Sequence, residues 1–202
     1  LRSAGALGTA SNTAATTVAS GATLQLANNI TTTNLGMLTL NGTGTAGNGA
    51  LQNVSGNNRW NSDITLGSNT TLFSSTAGNT LYIGNASYGT TLFTMTTNTV
   101  TVDGPGDVWF DSNVGVAGDT GGFVKNGTGK VTFYGSNTYY TGATVVNNGT
   151  LDLIVGPFSA GIYGINGSLT IGDSIGAAGS ALVNIASNTY AGQISPSSAV
   201  TI

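Results

Sequence analysis

Leu38-Thr39-Leu40-Asn41-Gly42 is one copy of a unit that recurs along the chain: two apolar residues two apart, a Thr between them, and a Gly or Asn close behind. Ile64-Thr65-Leu66-Gly67, Val131-Thr132-Phe133-Tyr134-Gly135 and Leu169-Thr170-Ile171-Gly172 repeat it, and Leu81-Tyr82-Ile83-Gly84 varies it. Residues i and i+2 share one face of a strand, and the residue between them points the other way. Gly and Asn tolerate the positive φ of a tight corner, so each strand ends after about four to six residues. A chain punctuated this often has no stretch of helical period long enough to fold as a helix.

A longer internal match points to repetition. Residues 17–26 (TVASGATLQL) resemble residues 145–153 (VVNNGTLDL) with one gap, and both run strand, Gly turn, strand. Irregular repeats of this kind mark a solenoid, in which each unit buries its apolar face only against its neighbours. Two β architectures compete. Asn-Gly pairs at 41, 126, 148 and 166 would suit the hairpins of an antiparallel sandwich. A parallel β-helix requires very short strands, small corner residues and little charge, because like charges stacked one turn apart repel. Only 5% of residues are charged and Gly numbers 32, with 3 Pro, which favours the β-helix. At roughly 20 residues and about 4.8 Å per turn, the chain predicts a rod of about ten turns and about 50 Å.

The same composition excludes several functions. Lys and Arg number 4 and the net charge is −3, so the basic footprint that nucleic acid requires is missing. No apolar run approaches the length of a membrane-spanning helix. His and Cys are both zero, which removes Ser-His and Cys-based catalysis and the usual zinc sites. Without disulfides, stability has to come from the backbone ladder and the stacked core.

Residues 121–153, GGFVKNGTGKVTFYGSNTYYTGATVVNNGTLDL, resemble the passenger-associated repeat of autotransporters, also called the autotransporter-associated β-strand repeat. Gly122, Lys125, Gly127, Gly129, Val131, Phe133, Gly135, Asn137, Tyr139, Gly142, Thr144, Val146, Gly149 and Leu151 carry the resemblance. It implies a right-handed parallel β-helix exported across the outer membrane, with a repeat that assists secretion by folding early and has no catalytic residues. The family's C-terminal membrane barrel has no counterpart in this sequence. On this reading Gly127, Gly129, Gly135, Gly142 and Gly149 are corners, and Val131, Phe133, Val146, Leu151 and Leu153 form the stacked core.

Few residues offer chemistry. Asp103, Asp107 and Asp111 form an acidic cluster, the grouping used by polysaccharide-cleaving β-helices and by calcium sites. Gly104-Pro105-Gly106 separates Asp103 from the other two and no cation adjoins them in sequence, so they read as solvated turn carboxylates rather than a catalytic or metal site. Trp109 and Phe110 are adjacent, so one points in and the other out. An outward Trp109 could form a carbohydrate platform, but packing is the role favoured for it. The repeat gives Tyr139 a packing role in the turn, leaving Tyr140 as the more exposed ring and a second candidate platform. Lys125 and Lys130 flank Gly127-Thr128-Gly129, but a phosphate-cradling loop needs a following helix.

The expected protein is one β-helical unit over residues 1–202, a piece of a longer surface protein or fibre. Its expected function is structural and non-enzymatic: a stalk, fibre or filament subunit outside the cell, with no cofactor. A glycan- or host-binding adhesin segment is the alternative, and a polysaccharide-degrading enzyme the third. The expected partners are further copies stacked end to end, or the covalent continuation of the same coil, and a glycan or host surface. Neither nucleic acid nor membrane insertion of this segment is expected.

Overall fold

A computed structural model describes residues 1–9, 11–33, 36–87, 90–134, 137–155, 163–172, 176–185 and 192–202. The chain winds as a β-solenoid in which strands from successive turns stack in parallel, forming a 12-stranded and a 6-stranded sheet. Each turn visits three faces. The first face stacks Thr16–Val18, Leu38–Gly42, the start of Ile64–Ser74, Leu92–Thr94 and Asn113–Val114. The second stacks Leu24–Ala27, Leu51–Ser55, the end of Ile64–Ser74, Val100–Asp103, Phe123–Lys125, Thr144–Val146, Leu169–Ile171 and Val200–Thr201. The third stacks Asn58–Trp60, Thr80–Ile83, Asp107–Phe110, Lys130–Phe133, Gly149–Leu153 and Ala181–Ile185. Strand Ile64–Ser74 bends round a corner and joins the first two faces into one sheet. The helical content among the described residues is one 3-10 turn, Thr45–Gly47.

The recurring apolar-Thr-apolar unit is the strand unit of this coil, and its two apolar residues point inward. On the third face, Leu81, Val108, Val131 and Leu151 form one interior file, and Ile83, Phe110, Phe133 and Leu153 the next, with Val183 and Ile185 continuing them at the uncovered last turn. Val131, Phe133, Val146, Leu151 and Leu153 are all buried. Phe110 sits at the centre of an aromatic knot. Phe93, Phe123 and Phe133 meet it edge to face, with centroids 5.3, 6.1 and 5.7 Å away. Rings from all three faces thus interlock across the core, in the geometry that the ring quadrupole favours.

The turn count differs from the sequence expectation. The coil makes about six turns rather than ten. Turns are unequal: Val131 to its partner Leu151 is 20 residues, and Leu151 to its partner Val183 is 32. The strand unit recurs without marking the face it occupies. Thr16–Val18 and Leu24–Ala27 lie on the first and second faces, whereas the matching Thr144–Val146 and Gly149–Leu153 lie on the second and third. Strand and corner are therefore written locally, and turn length is set by corner loops of no fixed size.

Glycines let the turns approach. A Cβ on Gly129 would overlap the carbonyl oxygen of Gly106 one turn back, and one on Gly149 would lie 2.6 Å from the carbonyl oxygen of Gly129. Gly121, Gly142 and Gly167 form a second such file. Gly127 packs in the same way against Gly104, and Gly149 also has a φ of 68°. Gly135, the remaining expected corner, lies outside the described residues.

Candidate functional site

The outer surface of the third face carries Arg59, Asp107, Lys130 and Asp152, with Asp111 at its strand end, in an otherwise weakly charged chain. Register places Arg59, Tyr82, Trp109, Thr132, Asp152 and Asn184 in one outward file, one residue per turn. Arg59 lies over the Tyr82 ring at 4.6 Å from its centroid. Tyr82 and Trp109 have centroids 6.4 Å apart, and Trp109 meets Tyr134 at 5.0 Å, tilted by 56°. All three rings are half-buried.

Asp111 ties this file together. One carboxylate oxygen accepts from the Arg59 guanidinium at 2.5 Å, and the other accepts from the Trp109 indole N–H at 2.7 Å. Arg59 also donates to the carbonyl of Gly84. Farther along, Lys130 pairs with Asp152 at 3.4 Å, and the Asn184 amide donates to the same carboxylate. Both ion pairs found among the described residues therefore lie on this face. Arg59 and Asp111 are 52 residues apart, so nothing in the local sequence pairs them; only the stacking register does.

The expected acidic cluster is corrected by this geometry. Asp111 is 5% exposed and ion-paired, so it is not a solvated turn carboxylate. Asp107 accepts from the Lys130 backbone N–H, and Asp103 accepts from the Gly104 N–H at its own corner. The three carboxylates thus have three separate structural tasks. Among the described residues, no group of three or more His, Cys, Asp or Glu is placed to hold a metal ion.

Tyr140 is also corrected. It is completely buried, with its hydroxyl 2.7 Å from that of Thr144 and its ring beside Phe123. Burial pushes its hydroxyl pKa up, with the Thr144 hydrogen bond opposing in part. It therefore cannot serve as an exposed platform. Its neighbour Tyr139 is the more exposed ring, because inward and outward positions alternate here in the opposite phase to the one expected. Trp109 does face outward, while Trp60 is wholly buried.

Lys125 escaped notice as a core residue. It occupies the interior file between Val102 and Val146 and is 1% exposed. Its ammonium donates to the carbonyls of Gly127, at 2.5 Å, and of Asn148, at 3.0 Å, bridging the corners of two turns. Burial lowers its pKa from 10.5 to about 8, with Asp103 and Asp107 pulling the other way. The signal for this role was its position: two residues after Phe123, it shares that residue's inward face.

Residues 123–153 match the profile of the passenger-associated transport repeat. The matched stretch begins at the second-face strand Phe123–Lys125 and ends with the third-face strand Gly149–Leu153. No match arises among curated proteins or among solved structures. Lys125 and the glycines of both close-packed files fall within or against the matched stretch, so its pattern has a direct structural reading. Residues 123–153 thus match the passenger-associated transport repeat, as in autotransporter passengers, and lie within a β-solenoid that continues on both sides of them.

Proposed function

We propose that the chain is a non-enzymatic segment of an exported, extracellular β-solenoid passenger, a stalk in which residues 123–153 serve as the folding nucleus. The observation that carries this reading is that the repeat pairs with itself. Phe123–Lys125 stacks on Thr144–Val146, and Lys130–Phe133 stacks on Gly149–Leu153. One 31-residue stretch thus closes two parallel strand pairs and buries Val131, Phe133, Val146, Leu151 and Leu153 between neighbours close in sequence. Short loops close at low entropic cost, so such a unit forms early and gives later turns an edge on which to add. Outside the cell no nucleotide drives transport, and each added turn contributes ladder hydrogen bonds and apolar burial at roughly 25 cal/mol per Å².

The two ends of the coil differ, which bears on how a stalk would extend. At the first turn Leu1 and Leu7 pack onto the core. At the last, Ile185, Val200 and Ile202 are 55%, 49% and 94% exposed. A further solenoid turn, from the same chain or a second copy, is the cover that fits this end, because a parallel edge seats another parallel strand.

The test is export in the native host, read as the pulse-labelled fraction that becomes accessible to added protease. Gly142→Val, which overlaps the backbone of the preceding turn, is compared with Leu40→Ala outside the repeat, chosen to give similar loss of stability. The expected result is slower surface appearance for Gly142→Val alone. Equal slowing by both variants would refute a special role for the repeat.

A further inference from the structure

We propose that the outer surface of the third face binds a linear neutral polysaccharide laid along the solenoid axis, with Tyr82, Trp109 and Tyr134 as stacking rings. The stalk reading does not depend on it. The rings lie on three successive turns, Tyr82 and Trp109 in direct register and Tyr134 two residues beyond Thr132, against the Trp109 ring. Turns are spaced by about 4.8 Å, so the rings recur along the axis on the scale of a single sugar ring.

They are also held in advance of binding. Arg59 lies against one side of Tyr82, and Asp111 fixes both Arg59 and the indole N–H of Trp109. Aromatic rings already ordered lose little conformational entropy on binding, and their faces suit the C–H surface of a pyranose. The hydroxyl of Tyr82 and the second carboxylate oxygen of Asp107 make no hydrogen bond to the described residues, which leaves a donor and acceptors for sugar hydroxyls beside the rings.

Charge selects among polysaccharides. Asp107, Asp111 and Asp152 outnumber Arg59 and Lys130 on this face, both cations are already paired with carboxylates, and the chain as a whole carries −3. An anionic polymer would meet like charge and no free cation, whereas a neutral one meets hydrogen-bonding groups and rings. The outward positions of the second face are mainly Gln, Thr and Val (Gln25, Gln52, Thr101, Val124, Val145, Thr170) with the one ring Phe73, rather than a row of rings on successive turns.

The test uses the purified chain and hexasaccharides of neutral β-glucan, xylan and mannan, with oligogalacturonate and oligoalginate as anionic probes. Binding is read by calorimetry and by tryptophan fluorescence, to which the buried Trp60 contributes a constant background. At least one neutral hexasaccharide is expected to bind saturably, with affinity rising from disaccharide to hexasaccharide. Trp109→Ala is expected to weaken it at least tenfold. Trp109→Phe, which keeps a ring, should weaken it less, and far-UV circular dichroism verifies that both variants are folded. Absence of binding to every neutral probe overturns the proposal. So does preference for the anionic probes, equal affinity in Trp109→Ala, or a face that retains only a protein ligand.

Discussion

Lys125 makes the stability of this solenoid depend on pH in a window where few other groups titrate. In the folded chain its pKa is about 8, and once unfolded it returns to 10.5. Between those values the unfolded chain binds the extra proton, so stability rises with pH across the window and is flat below it. A fall from 10.5 to about 8, at 1.36 kcal/mol for each pH unit, corresponds to about 3 kcal/mol in full. Tyr140 opposes this above pH 10, because its raised pKa means that the unfolded tyrosine ionises first. Measurement therefore stops at pH 9.5, where the expected gain is about 2 kcal/mol. The assay is urea unfolding followed by circular dichroism from pH 7 to 9.5, read as midpoints because a solenoid need not unfold in a single step. Lys125→Met keeps the stem and removes the charge. It leaves the carbonyls of Gly127 and Asn148 without their donor, at about 1–3 kcal/mol each, which offsets the relief of the buried charge at pH 7. The informative quantity is the slope: the rise with pH should vanish in the variant. A wild type whose midpoint is flat from pH 8 to 9.5, or a Lys125→Met variant with an unchanged slope, would refute the reasoning.

Asp111→Ala should cost about 2–3 kcal/mol, since it strips Arg59 of its counter-charge and orphans the Trp109 N–H. A double-mutant cycle with Arg59→Met should return a coupling energy clearly above zero, and additive losses would sever the pair. Phe110→Ala removes the centre of the aromatic knot and should cost about 3–5 kcal/mol in chemical denaturation; a loss below 1 kcal/mol would mean that the surrounding rings are not close-packed. Tyr140→Phe should cost about 1 kcal/mol at pH 7 and remove the decline in stability above pH 10, with persistence of that decline counting against its assignment.

The strand unit was legible because it is local. Alternation of Val131, Thr132 and Phe133 and the Gly or Asn behind them specify a strand and a corner, whichever face the strand joins. Low charge and high Gly selected stacking over a sandwich for the same reason: a file of like residues one turn apart tolerates small and apolar groups and penalises charge. The repeat was legible too, since its glycines sit where the preceding turn leaves no space for a Cβ, and its Lys shares the inward face of Phe123.

What the sequence did not reveal depends on register between distant turns. The number of turns hangs on corner loops that differ in length, and Tyr140 turned inward because alternation through the turn beyond Asn137 follows the path of the corner rather than a strand. Arg59 and Asp111 meet across 52 residues only because the third-face strands of successive turns lie in parallel register. Strands, corners and the preference for stacking are all encoded in short-range sequence patterns. Which side chains share a file is a matter of three-dimensional register, which brings both ion pairs and the rings of Tyr82, Trp109 and Tyr134 onto one face. Backbone ladders set that register, and no short-range pattern encodes a pairing whose partners lie a full turn or more apart.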